Sequence, residues 1–170
     1  MWNDTEIPLA VLFTFRCYGT WLHGDERGSV DRHRNVFGTP RIPQIDGWRD
    51  YNQELLEHPP VLLDAKMRRA VEKAIRELCE KRGWRLLAIN VRTNHVHVVI
   101  GIGGKNEDQV LIAVKANSTK QMRSDSCWPN EHSPWADKGS KRKLWNERSI
   151  ANAVDYVVNG QGFDLPDFDY

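Results

Sequence analysis

Hydrophobic residues recur along the chain with two different periods. A period of two, with many β-branched and aromatic residues, predicts strands at 10–21, 84–91, 95–101 and 143–147. A period of three to four predicts amphipathic helices at 64–83, 107–123 and 149–158. Asp64 and Ser149 are suited to begin helices, because their side-chain oxygens accept hydrogen bonds from free backbone N–H groups, and Gly83 is suited to end one.

The order of these elements predicts the fold class. Strand, helix, strand, strand, helix, strand is the α+β plan called ferredoxin-like, with one antiparallel sheet and both main helices on one face. Residues 92–94 are short enough to join two strands as a hairpin. We therefore expect a single domain over residues 1–170, with the other face of the sheet free for a site.

Two segments depart from this pattern. Residues 24–60 are rich in glycine and proline and lose their hydrophobic periodicity, so they predict a long irregular insertion that is functional or mobile. Residues 163–170 form an acidic tail that we expect to be loosely held.

Composition narrows the class of protein. With 40% hydrophobic and 28% charged residues among 170, the chain matches a globular protein and not a disordered one. It has no apolar run of about 18 residues and no visible signal peptide, so we expect a cytoplasmic protein without a membrane span. Three cysteines at unrelated spacings indicate reduced thiols.

The net charge of +1 conceals an uneven distribution. Residues 64–85 and 109–148 are basic, whereas the chain is acidic from Asp155 onward. Two basic segments can form a local phosphate-binding face, although solvated helix faces have the same composition.

The candidate chemistry begins at His95 and His97. Side chains two residues apart on a strand lie on the same face, about 7 Å from each other. The alternating aliphatic residues Val96 and Val98 then face the helices. Two imidazoles on one open face can hold a divalent cation, while two unrelated half-buried histidines are the simpler alternative.

Tyr156 is the second candidate. At 100° per residue it lies about 130° from the centre of the apolar stripe of its helix, on the polar side. A tyrosine of the hydrophobic core belongs on the stripe. Tyr156 is therefore either an exposed structural residue or a functional one.

These features occur in an order that resembles a known family. Asn94-His95-Val96-His97 is followed by a lysine-bearing helix, the segment Leu144-Trp145-Asn146 and a helix with a polar-face tyrosine. With residues 14–16 and 19–24, the series resembles the single-tyrosine transposases of the HUH superfamily, including insertion-sequence and REP-associated enzymes. The resemblance covers residues 10–162.

The resemblance implies a metal site and a nucleophile. His95 and His97 would be ligands of Mg²⁺ or Mn²⁺, and Tyr156, on the C-terminal helix of this HUH-type fold, would attack DNA. The family's third ligand is often Gln or Asn four residues after the tyrosine, where this chain has glycine. Gln161 is the preferred substitute, provided that the glycine turns the chain, and Asn159 is the alternative.

The resemblance also implies the DNA contacts. Lys115 would lie close to phosphates, and Trp145 matches a tryptophan beside the fourth strand. Basic residues that we expect to contact phosphates are Lys138, Lys141, Arg142 and Lys143. Tryptophans that can stack on extruded bases, or equally belong to the core, are Trp21, Trp128, Trp135 and Trp145.

The function expected from the resemblance is that of a metal-dependent DNA strand transferase and endonuclease. Such a transposase cleaves and rejoins hairpin-forming single-stranded DNA through a 5′-phosphotyrosine intermediate, commonly as a homodimer. The alternative is a catalytically silent, domesticated protein that still binds hairpin DNA.

Overall fold

A computed structural model describes residues 6–20 and 56–166. The four strands in these ranges are β1 (Ala10–Arg16), β2 (Arg85–Val91), β3 (His95–Gly101) and β4 (Ser140–Leu144). The three helices are α1 (Ala65–Arg82), α2 (Glu107–Ser124) and α3 (Glu147–Asn159). The predicted α+β class and the order of the elements are confirmed.

The strands form one antiparallel sheet in the order β2-β3-β1-β4, which is the ferredoxin-like order. One face of the sheet packs on α1 and α2. Its core includes Phe13 and Phe15 of β1, Val98 of β3, Ile75 of α1 and Val114 of α2, all of which are fully buried. Burial of these large apolar side chains supplies the main stabilisation of the fold.

The other face of the sheet is not free as expected, because α3 packs on part of it. Ala153 and Val157 of α3 are buried against Leu12, Val99 and Leu144. The apolar stripe of α3 must be covered, and the second face of the sheet covers it. This helix brings Tyr156 onto the face that carries the two histidines.

The ends of several elements differ from the predictions. Strand β1 ends at Arg16 and not at residue 21. Strand β4 lies over 140–144 and not 143–147, because polar residues pair with β1 while only Leu144 is buried. Asn146, not Ser149, begins α3, since its side chain accepts a hydrogen bond from the Ser149 N–H at 2.8 Å.

The ends predicted for α1 are confirmed. The Asp64 carboxylate accepts a hydrogen bond from the Met67 N–H at 2.8 Å. Gly83 ends the helix with a φ of 71°, a left-handed conformation that favours glycine.

Parts of two predicted segments can be compared with the structure. Only 56–60 of the insertion 24–60 is among the described residues, and Trp21 lies outside them. In the described part of the acidic tail, Arg92 Nη2 donates to the Phe163 carbonyl at 2.9 Å, and Arg68 Nη2 donates to that of Pro166 at 2.6 Å. In the described parts of the chain, no helix is long and apolar enough to span a membrane.

The three cysteines form no disulfide. Cys17 and Cys79 are buried in the core, and burial raises the pKa of the Cys17 thiol to about 12. Both are packing residues.

Candidate active site

His95 and His97 lie side by side on the face of β3 that α3 covers. Their ring centroids are 4.7 Å apart and their planes are inclined at 77°. Val96 and Val98 point to the opposite face and are fully buried against the helices. The alternation predicted from the sequence therefore places both imidazoles on one surface.

Hydrogen bonds orient both imidazole rings. His95 Nδ1 lies 2.7 Å from Asn94 Oδ1, which only accepts, so Nδ1 carries the proton and Nε2 keeps its lone pair. His97 Nδ1 lies 2.8 Å from the hydroxyl of Thr14, directly opposite on β1. Each ring is thus held through Nδ1, which leaves Nε2 as the atom available to a ligand.

His97 Nε2 is buried and has no hydrogen-bond partner among the described residues. A buried polar atom without a partner costs roughly 1–3 kcal/mol, so such atoms are rare and call for an explanation. A cation bound to this nitrogen would remove the cost.

Burial also determines the charge of His97. The pKa of this side chain is lowered to about 4, with burial as the largest cause; the neighbouring His95 and Arg92 also lower it, whereas Gln161 acts in the opposite direction. The imidazole is therefore neutral near pH 7. Only a neutral imidazole can donate its lone pair to a metal.

Tyr156 lies next to His97. The two ring centroids are 5.3 Å apart, with an angle of 69° between the planes. The neighbouring residue Val157 is fully buried, while Tyr156 is 44% exposed. The off-stripe position predicted for this tyrosine therefore puts its ring at the surface, beside the histidine pair.

Gly160 turns the chain directly after α3. Its N–H donates to the Tyr156 carbonyl at 3.0 Å, and a Cβ at this position would lie only 2.6 Å from that oxygen. The turn brings Gln161 back, so that its Oε1 lies 3.4 Å from His95 Nε2 and its amide donates to the Tyr156 carbonyl at 3.1 Å. The glycine is thus what allows Gln161 to reach the site.

Asn159 is not brought to the site. Its side-chain amide donates to Asp155 Oδ1 at 2.8 Å on the exposed side of α3. Among the described residues no group of three His, Cys, Asp or Glu could hold a metal ion. The polar side chains that meet at this site are the two imidazoles and the amide of Gln161.

Two arginines lie next to His95, and the sequence analysis did not predict their positions. Arg16 is the cross-strand partner of His95 on β1. The Arg92 N–H donates to the His95 carbonyl at 2.8 Å from the other side. Directly paired residues share a face of a sheet. The position of Arg16 follows from the register of β1 with β3, which the sequence alone does not reveal.

Lys115 does not lie free for DNA. Its ammonium donates to the carbonyl of Ala136 at 3.0 Å and also to that of Lys138. Burial lowers the pKa of this half-buried lysine. These hydrogen bonds attach the loop that precedes β4 to α2, so Lys115 has a structural role.

The basic residues of β4 do not form one surface. Lys143 pairs with Glu107 at 3.3 Å, and Lys141 pairs with Asp108, so both turn toward the first turn of α2. Arg142 is opposite Leu12 on β1 and therefore lies on the face that α3 covers. Of these three, only Arg142 is on the histidine side of the sheet.

Three of the candidate tryptophans can be compared. Trp145 is 48% exposed, with Lys143 Nζ 6.0 Å from its ring centroid. Trp128 and Trp135 are buried, and the Trp135 indole donates to the Lys115 carbonyl at 3.1 Å. Trp128 and Trp135 are therefore core residues, and Trp145 remains available for stacking.

A known family and a solved structure are similar to this chain. Residues 59–159 match the family described as transposase, IS200 like. A crystal structure of a Deinococcus radiodurans R1 protein assigned as a transposase aligns with a TM-score of 0.46 and 13% identity, over 94% of this chain and 95% of that one. No curated protein is significantly similar. Because the family match spans more than half of the sequence, including both histidines and Tyr156, the chain belongs to the IS200-like transposase family.

Proposed function

We propose that this transposase is a metal-dependent transesterase for single-stranded DNA, with Tyr156 as the nucleophile. The observation that carries the proposal is the position of Tyr156, whose partly exposed ring lies 5.3 Å from the ring of His97. A phenol that DNA can approach, beside two imidazole nitrogens, is the combination that strand cleavage through tyrosine requires.

The reaction exchanges one phosphoester for another. Tyr156 Oη attacks the phosphorus, the bond from phosphorus to the 3′ oxygen breaks, and that oxygen leaves as a 3′-hydroxyl with a proton. The fragment downstream of the break remains attached to Tyr156 through its 5′ phosphate, as a phosphotyrosine. Since the ester bond is conserved in the intermediate, a second 3′-hydroxyl can reverse the step and join a different strand without ATP.

Three donors of the site suit Mg²⁺ or Mn²⁺. His95 and His97 would bind through Nε2, since imidazole is a common metal ligand, and Gln161 would bind through Oε1, a carbonyl oxygen of the kind that suits both ions. When bound, the ion would neutralise negative charge that develops on the phosphate. The unpartnered Nε2 of His97 and the turn at Gly160 support this assignment.

The substrate we propose is a hairpin-forming single-stranded end. Trp145 offers an exposed ring on which an unpaired base can stack, and Arg142, exposed on the same side of the sheet as Tyr156, can contact the backbone. A homodimer is part of the proposal because the family resemblance implies it.

Covalent trapping tests the nucleophile. Labelled hairpin DNAs are incubated with the protein and Mn²⁺ and run on a denaturing gel, with Tyr156→Phe and the control Tyr18→Phe. Tyr18 is half-buried beside His58, and its hydroxyl accepts a hydrogen bond from the Glu57 N–H at 3.1 Å, so it tests for a general effect of losing a phenol. We expect an adduct with the wild type and Tyr18→Phe only.

Other outcomes overturn the proposal in different ways. An adduct in Tyr156→Phe would exclude this nucleophile. No adduct in any protein, together with normal binding to the same hairpins, would favour the catalytically silent hairpin-binding protein.

A further inference from the structure

The chain after α3 runs back to two arginines, Arg92 and Arg68. Arg92 Nη2 donates to the Phe163 carbonyl at 2.9 Å. Arg68, which is only 8% exposed, donates to the carbonyls of Leu63 at 2.8 Å and Pro166 at 2.6 Å. Residues 163–166, called here the tail segment, are therefore fixed by guanidinium groups from α1 and from the turn between β2 and β3.

The two guanidinium groups are close enough to affect each other. Partial burial lowers the pKa of Arg92, the charge of Arg68 lowers it further, and Asp164 acts in the opposite direction. Like charges that repel in a partly dehydrated place are stabilised by an anion. In the DNA-free chain, Asp164 of the tail segment supplies negative charge there.

Arg92 also belongs to the site. Its backbone N–H is bonded to the carbonyl of His95, and its charge contributes to the lowered pKa of His97. A phosphodiester beside His95 and Tyr156 would thus lie within the field of Arg92. A guanidinium forms two parallel, charge-assisted hydrogen bonds with a phosphate, whereas a peptide carbonyl accepts a single weaker one.

We propose that Arg92 binds a phosphate of the DNA strand and that the tail segment, through Asp164 and the Phe163 carbonyl, occupies this arginine until DNA displaces it. The tail segment is then a competitor of DNA at its own active site. This inference rests on the proposed function for the identity of the strand, and it adds regulation of the same site.

A double-mutant cycle measured by binding alone tests the competition. The probe is a short fluorescent oligothymidylate, since phosphate contacts do not depend on sequence, and EDTA is present so that neither metal nor cleavage contributes. The variants are Asp164→Asn, Arg92→Gln and the double variant. Asp155→Asn is the matched control, because it removes the same charge from an exposed position on α3, where Asp155 bonds only Asn159 among the described residues.

Asp164→Asn should bind the probe about twofold to fivefold more tightly than the wild type, the size of one partly exposed charge interaction. Arg92→Gln should bind more weakly and lower the salt slope by about one. In the Arg92→Gln background, Asp164→Asn should have no further effect on binding, because the guanidinium for which DNA and the tail segment compete is absent.

Three results would overturn the proposal. The first is an equal gain in affinity for the probe from Asp164→Asn and from Asp155→Asn. The second is a gain from Asp164→Asn that persists in the Arg92→Gln background. The third is no binding of the probe by either the wild type or Asp164→Asn. Covalent trapping distinguishes this failure from that of the proposed function. If an adduct forms but Asp164→Asn does not tighten binding, only the proposed competition by the tail segment is wrong. If Asp164→Asn tightens binding but no adduct forms, only the role of Tyr156 as nucleophile is wrong.

Discussion

The hydroxyl of Thr14 lies 2.8 Å from Nδ1 of His97, across the pairing of β1 with β3. This contact fixes the ring so that Nε2 is the nitrogen left for a ligand. Partners of this kind typically change metal affinity 10- to 100-fold when they are removed, as an order of magnitude. Thr14 is thus a positioning residue, which acts through His97.

We expect Thr14→Val to weaken Mn²⁺ binding by about tenfold or more, because valine keeps the shape and removes the hydroxyl. Thr14→Ser should restore most of the affinity. Isothermal titration with Mn²⁺ measures both. Equal dissociation constants for Thr14→Val and the wild type would show that the hydroxyl does not orient the ring.

Gln161 and Asn159 form a matched pair of amides. Gln161→Ala should weaken Mn²⁺ binding by about tenfold, since it removes the oxygen donor nearest to His95, whereas Asn159→Ala should leave binding unchanged. The same titration applies. The reverse ranking would assign the third ligand to Asn159.

Lys115 is expected to affect stability. Lys115→Met removes hydrogen bonds to two backbone carbonyls and should lower the free energy of unfolding by about 1.5–3 kcal/mol, the range for bonds to charged groups. Lys120→Met, at an exposed position on the same helix, should change it by less than about 0.5 kcal/mol. Urea unfolding gives both values. A normal stability for Lys115→Met, combined with weak DNA binding, would instead support the phosphate role expected from the sequence.

The lowered pKa of His97 makes the metal-free protein sensitive to acid. Below an ordinary pKa of 6.5 the unfolded chain takes up a proton that the folded chain accepts only near pH 4. Stability from this group is therefore complete above about pH 6.5 and is lost as the pH falls toward 4, by at most about 3 kcal/mol.

Urea unfolding in EDTA between pH 7.5 and 4 measures this loss. The variant His97→Gln provides the baseline, since glutamine does not titrate and its amide can occupy a similar position. The wild type should lose more stability than the variant over this interval. Parallel curves would mean that His97 titrates normally in the folded chain.

Several features of the site could be predicted from the sequence because they depend on local periodicity. The period of two puts His95 and His97 on one face, and the period of 3.6 puts Tyr156 off its apolar stripe. The reach of Gln161 also depended on a local feature, namely a turn at Gly160. These relationships involve residues close together in the chain.

The features that were missed depend on pairing between distant segments. Arg16 lies opposite His95 only because of the register of β1 with β3. Lys141 and Lys143 look like a phosphate-binding run in sequence, yet the first turn of α2 lies beneath them and supplies their carboxylate partners. Local pattern does not contain this information.

All seven residues of β3 are buried, because β3 lies between β2 and β1 in the sheet and helices pack on both faces of the sheet. Its amide protons should accordingly be among the slowest in the chain to exchange with solvent, at rates that report opening of the whole domain. By contrast, only Ala153 and Val157 of α3 are buried, so its amides should exchange through smaller local fluctuations. The two histidines thus lie on the strand that we expect to open least often. Tyr156 lies on a helix that we expect to open locally while the histidines stay in place.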